Sequence, residues 1–171
     1  MTMYYTFVNT PVGKLLAAAD ETGLRRLAFT DLAEAICAEP GWVEDSSRFT
    51  ELAQQLAAYF AGERRTFDLK LAPQGTAFQR EVWEAVRSIP YGQRATYADL
   101  ARKLGKPTAA RAVGAANACN PLPILIPCHR VVGSNGELTG YIGGLVTKRK
   151  LLRFEQTGKP DEDEPAGWAT A

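Results

Sequence analysis

Apolar and polar positions follow two different periods along this chain, and the change between them divides it. Residues 3–9, Met-Tyr-Tyr-Thr-Phe-Val-Asn, are aromatic and β-branched and read as a strand. Thr10, Pro11, Val12 and Gly13 make a turn, residues 14–19 a second strand, residues 20–23 another turn, and residues 24–29 a third strand. The pattern predicts a small antiparallel meander. Residues 31–39 are expected to form a short helix, with Cys37 in it as a packing residue. Over residues 49–61 the apolar positions Leu52, Leu56, Tyr59 and Phe60 recur at helical spacing, so an amphipathic helix is predicted, ended by Gly62. A short extended piece at 66–71 leads to Pro73-Gln74-Gly75, which reads as a linker.

From residue 76 the texture is helical. Thr76 with Gln79 three places on is a capping-box signature for a helix through Phe78, Val82, Trp83 and Val86, stopped at Ile89-Pro90-Tyr91-Gly92. Thr96 with Asp99 opens a second helix over 97–104. A tight Gly105-Lys106-Pro107 turn follows, and Thr108 opens a third helix through Asn117. Two short helices joined by a glycine-containing turn form a helix-turn-helix pattern. Its second helix is unusual, because residues 109–116 are Ala, Val or Gly apart from Arg111. Reading base edges in the major groove calls for several long polar side chains. This smooth, narrow surface suits close approach to a nucleic-acid backbone or entry into the minor groove; a core-packed helix is the other reading.

An apolar run framed by Pro121, Pro123 and Pro127 then ends in Cys128-His129-Arg130-Val131-Val132. His129 is the only histidine in the chain. A thiolate is the reactive form of cysteine, and a free thiol is mostly protonated near neutrality. A neighbouring imidazole can take that proton, so Cys128 and His129 are a candidate nucleophile and base. A buried cysteine packed as a small hydrophobe is the alternative. Tyr141-Ile142-Gly143-Gly144 offers a backbone that a ligand could approach closely. A last helix is predicted over 148–156, capped by Thr147, with Leu151, Leu152 and Phe154 inward and Glu155 near its end. Residues 157–171, with the acidic run Asp161-Glu162-Asp163-Glu164, read as a disordered tail.

Composition adds three constraints. With 171 residues, 46% hydrophobic and 23% charged, the chain fits an ordinary globular protein of one or two small domains. No apolar run reaches the roughly 20 residues that span a bilayer, and no signal peptide is visible, so a cytoplasmic protein without membrane contact is expected. Three cysteines without paired spacing point to a reducing compartment. One histidine and no Cys-x-x-Cys make a metal site an unexpected feature, and no cofactor is expected. The net charge of +1 hides a segregation: residues 1–75 carry −3, residues 76–156 carry +7 and residues 157–171 carry −3. The basic central block suits a polyanion such as DNA; a solvated face with scattered Lys and Arg would also account for it.

Taken together, Phe78-Gln79-Arg80, Ile89-Pro90-Tyr91-Gly92, Thr96-Tyr97, Ala110-Arg111-Ala112-Val113-Gly114, Asn120-Pro121, Ile126-Pro127-Cys128-His129-Arg130-Val131, Thr139-Gly140-Tyr141 and Gly143-Gly144 occur in an order and spacing that resembles the O6-alkylguanine-DNA alkyltransferase family. The resemblance implies an α/β N-terminal domain over 1–75, with a small antiparallel sheet plus helices, and a mainly helical C-terminal domain with a helix-turn-helix over 76–156. It implies single-turnover repair of duplex DNA, in which an alkylated guanine is flipped from the stack and its alkyl group passes irreversibly to cysteine. O6-methylguanine is the main expected lesion, with O4-methylthymine a further candidate.

By the resemblance, Cys128 is the alkyl acceptor, His129 its base acting through a water, Glu155 the carboxylate holding the imidazole, and Asn120 the brace of the turn. Tyr97 either crowds the target phosphate or protonates the leaving base. Arg111 fills the gap left by the extruded base, with Ala110, Ala112 and Gly114 on the same DNA-facing helix. Gln79, Lys106 and Ser134 fall where relatives touch the DNA backbone. Pro123, Val131, Tyr141, Ile142 and Gly143 line the guanine pocket. Ile142 replaces a small hydroxyl residue found in some relatives and is expected to favour methyl over benzyl adducts. The protein is expected to act as a monomer on the minor groove, with cooperativity along DNA left open. The competing readings are a damage-binding protein of the same fold, which would lack the cysteine, a helix-turn-helix regulator, and a thiol hydrolase.

Overall fold

The computed structural model describes residues 1–30, 37–141 and 143–158. The described chain forms two compact units, residues 1–73 and residues 74–158.

In the first unit, β1 (Tyr4–Thr10), β2 (Gly13–Asp20) and β3 (Gly23–Phe29) form the expected antiparallel meander. The strand order is β3-β2-β1-β4. Leu15, Leu16, Ala17 and Ala18 of β2 are all fully buried, as suits the strand flanked on both edges. One feature corrects the antiparallel reading: β4 (Val43–Glu44) joins the edge of β1 in parallel, so the sheet is mixed. Two residues are too short a run to carry a sequence period. Helix α1 (Thr50–Phe60) buries Leu52, Leu56, Tyr59 and Phe60, the positions its spacing picks out. Of the helix expected over 31–39, residues 31–36 lie outside the described residues; Cys37 is exposed and non-helical.

The second unit is built on four helices and a two-stranded pairing. Helix α2 (Ala77–Arg87) begins in a complete capping box, Thr76 and Gln79 each bonding the other's backbone N–H. Helix α3 (Tyr97–Lys103) repeats the device with Thr96 and Asp99. Helix α4 (Ala110–Ala118) follows the Gly105 turn, but Ala109 stands at its N-cap without a side-chain bond, so Thr108 is not the cap. Helix α5 (Leu145–Thr157) starts three residues before the expected Lys148, directly after Gly144 at φ +88°. That backbone conformation favours glycine and sets the helix start there, leaving Thr147 inside the helix.

Two contacts fix the frame around residues 120–132. The buried Trp83 indole of α2 donates to the Ala116 carbonyl of α4 at 2.9 Å. Strands β5 (Ala95–Thr96) and β6 (Val131–Val132) pair in parallel, Ala95 with Val131 and Thr96 with Val132. This pairing sets the first residue of α3, Tyr97, beside the chain leaving Cys128-His129-Arg130. Gly75 allows the close seat of Trp83: a Cβ there would stand 2.5 Å from the indole ring. A Gly75→Ala variant should therefore lose about 1–3 kcal/mol of stability from overpacking, read as a lower urea midpoint at unchanged m-value.

Candidate active site and nucleic-acid interface

The segment between α4 and β6 is a wound, buried turn. Asn120, itself 1% exposed, brackets it: its side-chain oxygen accepts from Leu122 N–H at 3.0 Å, and its amide donates to the Ile126 carbonyl at 2.8 Å. Inside this bracket Ile124 has φ +74°, the only positive φ at a non-glycine among the described residues. For a β-branched residue this conformation is strained, and it persists because the surrounding packing over-determines it. The strain is stored two residues from the end of the bracket that delivers Cys128.

An extended backbone at 128–129 would put the two side chains on opposite faces; instead Cys128–Arg130 is a single 3-10 turn, closed by Arg130 N–H donating to the Pro127 carbonyl at 2.9 Å. The turn directs His129 and Arg130 together onto the carboxylate of Glu155 from α5. His129 Nε2 lies 2.8 Å from Glu155 Oε2, Arg130 Nε donates to Oε1 at 2.8 Å, and a second Arg130 nitrogen donates to Oε2 at 2.9 Å. Arg130 also donates to the Ile89 carbonyl at 2.7 Å. His129 and Glu155 are 0% and 5% exposed. Burial alone would raise the Glu155 pKa, but the charges and hydrogen bonds of His129 and Arg130 hold it far below the usual carboxylate range. With Nε2 committed to the carboxylate, Nδ1 of His129 is a buried nitrogen without a hydrogen-bond partner among the described residues.

Cys128 is 2% exposed. Burial pushes its thiol up from 9.0 to about 11, against smaller lowering effects from an Asn120 hydrogen bond and the charge of Lys148. Lys148, fully buried, donates to the carbonyls of Val131 (2.5 Å) and Thr139 (2.8 Å), so it ties β6 to the segment before Tyr141. Burial lowers its pKa to about 8, and the positive charge of Arg94 adds to that, against the raising effect of Cys128. Asn117 of α4 reaches the Cys128 carbonyl at 3.4 Å.

Beside this buried cluster lies an open cleft of about 460 Å³, lined by Tyr97, Ala98, Ala110, Arg111, Gly114, Ala118, Ser134, Thr139 and Gly140. It joins the start of α3, the small-residue face of α4 and the 134–140 loop. The Tyr97 hydroxyl is 2.7 Å from Thr139 Oγ1 across it.

The cleft brings together Tyr97, Ala110, Arg111, Gly114 and Ser134, with Arg111 and Ser134 exposed. Ala112, also on α4, is exposed but does not line it. Gln79 and Lys106 lie elsewhere: the Gln79 oxygen caps α2, and Lys106 pairs with Glu81 at 3.3 Å and stands 5.0 Å from the Phe78 ring. Cys128, His129, Asn120 and Glu155 converge in the buried layer. Pro123, Val131 and Gly143 are buried, Tyr141 is half-buried, and Ile142 lies outside the described residues. The sequence reading passed over two residues of this layer, Arg130 and Lys148. A charged residue directly after Cys-His, and a lysine one turn before two leucines of a buried helix face, were the available signals. Among the described residues no three His, Cys, Asp or Glu groups come together to hold a metal.

The fold and this site are those of a DNA-alkylation-repair protein, and comparison with known proteins agrees over nearly the whole chain. Residues 77–157 match the model of the 6-O-methylguanine DNA methyltransferase DNA-binding domain, and residues 3–73 match that of the family's ribonuclease-like domain. A methylated-DNA–protein-cysteine methyltransferase of Methanosarcina acetivorans is 50% identical, covering 90% of this chain and 98% of its own. The constitutive enzyme of that name from Bacillus subtilis is 44% identical, over 90% and 95%. The crystal structure of Mycobacterium tuberculosis OGT in complex with DNA superposes with a TM-score of 0.85 at 42% identity, covering 92% and 95% of the two chains. The chain belongs to the 6-O-methylguanine DNA methyltransferase family.

Removing the central carboxylate should expose how much rests on it. Glu155→Gln leaves the Arg130 charge buried without its counter-charge, and should cost about 3–5 kcal/mol in urea unfolding at neutral pH. The Glu155 pKa is depressed in the folded state, so its stabilisation is full above the ordinary 4.5 and is lost as pH falls through the lower folded value. Wild-type stability should therefore decline below pH 4.5 by a component that the Gln variant lacks.

Proposed function

We propose that the chain removes the methyl group of O6-methylguanine in duplex DNA by transferring it to its own Cys128, once per molecule. The observation that carries this assignment is the thiol next in the chain to the buried His129–Glu155–Arg130 cluster, in the unit whose helix-turn-helix and following loop line an open cleft.

The chemistry balances without a cofactor. The Cys128 proton passes through a water to His129 Nδ1, the one imidazole nitrogen that Glu155 does not occupy. The thiolate attacks the methyl carbon in line; the S–C bond forms as the C–O6 bond breaks, and guanine leaves with the electron pair. Tyr97 on the cleft wall donates a proton to the departing guanine anion and is reprotonated through solvent, to which the His129 imidazolium releases the Cys128 proton, so the charges balance. The product thioether has no second nucleophile to reverse it, so the protein is consumed.

The same geometry divides the work between binding and chemistry. The minor groove meets the small-residue face of α4, where Ala110 and Gly114 permit close approach and Arg111 enters the gap of the extruded base, with Ala112 exposed on the same helix outside the cleft. Ser134 meets the strand from the loop side. Gln79 and Lys106 bear on the backbone from outside the cleft. Pro123, Val131, Tyr141 and Gly143 line the seat of the flipped guanine. The protein acts as a monomer in the cytoplasm, where a reducing medium keeps the single-use thiol intact.

Because Cys128 is buried and its thiol is pushed to about 11, the resting protein should be slow with bulky thiol reagents, while the exposed Cys37 and Cys119 react at once. Timed alkylation followed by peptide mass spectrometry measures this; equal rates at all three cysteines would contradict it. Incubation with methylated duplex should place one methyl on the Cys128 peptide. Cys128→Ser should abolish transfer while duplex affinity stays nearly unchanged, and a Cys128→Ser protein that still demethylates DNA would remove the assignment. Arg111→Ala should lower the second-order rate on duplex by roughly tenfold, about 1.4 kcal/mol, with reaction on the free base unaffected.

A further inference from the structure

The sequence concentrates seven net positive charges between residues 76 and 156, yet the cleft holds a single cation, Arg111. Lys106 is engaged by Glu81, Arg87 by Glu84, Arg102 by Asp99, and Arg130 is sunk against Glu155. Three further arginines stand together at one place. Arg94, Arg149 and Arg153 border a recess of about 370 Å³ whose other walls include Leu138, Leu152 and Gln156. Arg149 and Arg153 are exposed one helical turn apart on α5, and Arg94 is exposed just before β5. Neither Arg94 nor Arg149 has a carboxylate within ion-pair distance among the described residues.

The recess is not remote from the cleft. The two share the 134–140 loop: Ser134, Thr139 and Gly140 face the cleft, and Leu138 walls the recess. Planar guanidinium groups offer paired N–H donors that match phosphate oxygens, and apolar walls limit competition from water. We propose that this recess is a second phosphate-binding site, which takes the sugar-phosphate backbone of the bound duplex after it passes the 134–140 loop.

The proposal rests on the reading of the chain as a duplex-DNA alkyltransferase, and it assigns the affinity for DNA to two separated patches. Arg111 serves the extruded base; the three arginines of the recess serve the backbone alone. They should therefore affect capture of every duplex equally, damaged or not, and leave the chemistry at Cys128 untouched.

Fluorescence anisotropy with a methylated and an unmodified duplex, across a salt series, tests this on the full chain. The comparison is between wild type, the double variant R94Q/R149Q and the triple variant R94Q/R149Q/R153Q. Each phosphate contact accounts for about 0.9 in the slope of log K against log salt. The slope should become shallower by about two in the double variant and by two to three in the triple, on both duplexes. Methyl transfer from free O6-methylguanine base should keep its wild-type rate, which also certifies the fold. Unchanged slopes in variants that retain free-base activity would overturn the proposal. So would a loss confined to copy-to-copy cooperativity in analytical ultracentrifugation on long duplex, with single-copy affinity intact, because the recess would then seat a second copy. Failure of the wild type to bind either duplex is the separate result that removes the repair reading itself.

Discussion

A buried carboxylate held by an imidazole and a guanidinium is the interaction on which the rest of this structure depends. Glu155 comes from the last helix, His129 and Arg130 from a turn 25 residues earlier, and all three are withdrawn from water. Isolated, either the carboxylate or the guanidinium would be costly to bury. Together they satisfy one another, and they join α5 to the turn that carries the thiol. Arg130 extends the tie to the end of α2 through the Ile89 carbonyl. The position of the imidazole next to Cys128 is thus a by-product of how the C-terminal unit holds itself closed.

A second layer of constraint is made of backbone rather than charge. Asn120 gathers the 120–126 turn at two points and accepts the strained Ile124 within it. The β5–β6 pairing then binds the outgoing chain to the start of α3. Lys148 adds an ammonium between two carbonyls on either side of the 133–139 loop. Each device is short, and together they tie the turn that carries Cys128 to the start of α3 and to the 133–139 loop.

Much of this was legible in the sequence. The capping pairs Thr76–Gln79 and Thr96–Asp99 announced two helices at the positions found, because such pairs satisfy local donors independently of tertiary context. The apolar spacing of α1 did the same. The partnership of Glu155 with His129 came through the family resemblance alone, since 26 residues of separation leave no local trace. What did not show were features decided by tertiary packing. The parallel edge β4 and the strands β5 and β6 are two residues long. The 3-10 form of 128–130 follows from where Arg130 must reach. Arg130 and Lys148 went unnoticed because charged residues in a basic segment read as surface, and only burial distinguishes them. Lys106, assigned to the DNA backbone by the resemblance, pairs at the surface with Glu81, a partner 25 residues away that no local pattern announces.

The raised pKa of Cys128 has a meaning beyond the transfer step. A protein that can act only once is a reagent, and a reagent is wasted by every encounter with the wrong electrophile. A thiol kept neutral and covered is a poor nucleophile toward the oxidants and small alkylating agents that surround it. Storage in an inert form, with activation tied to arrival of the correct base, lets each molecule wait for its single use without being spent beforehand.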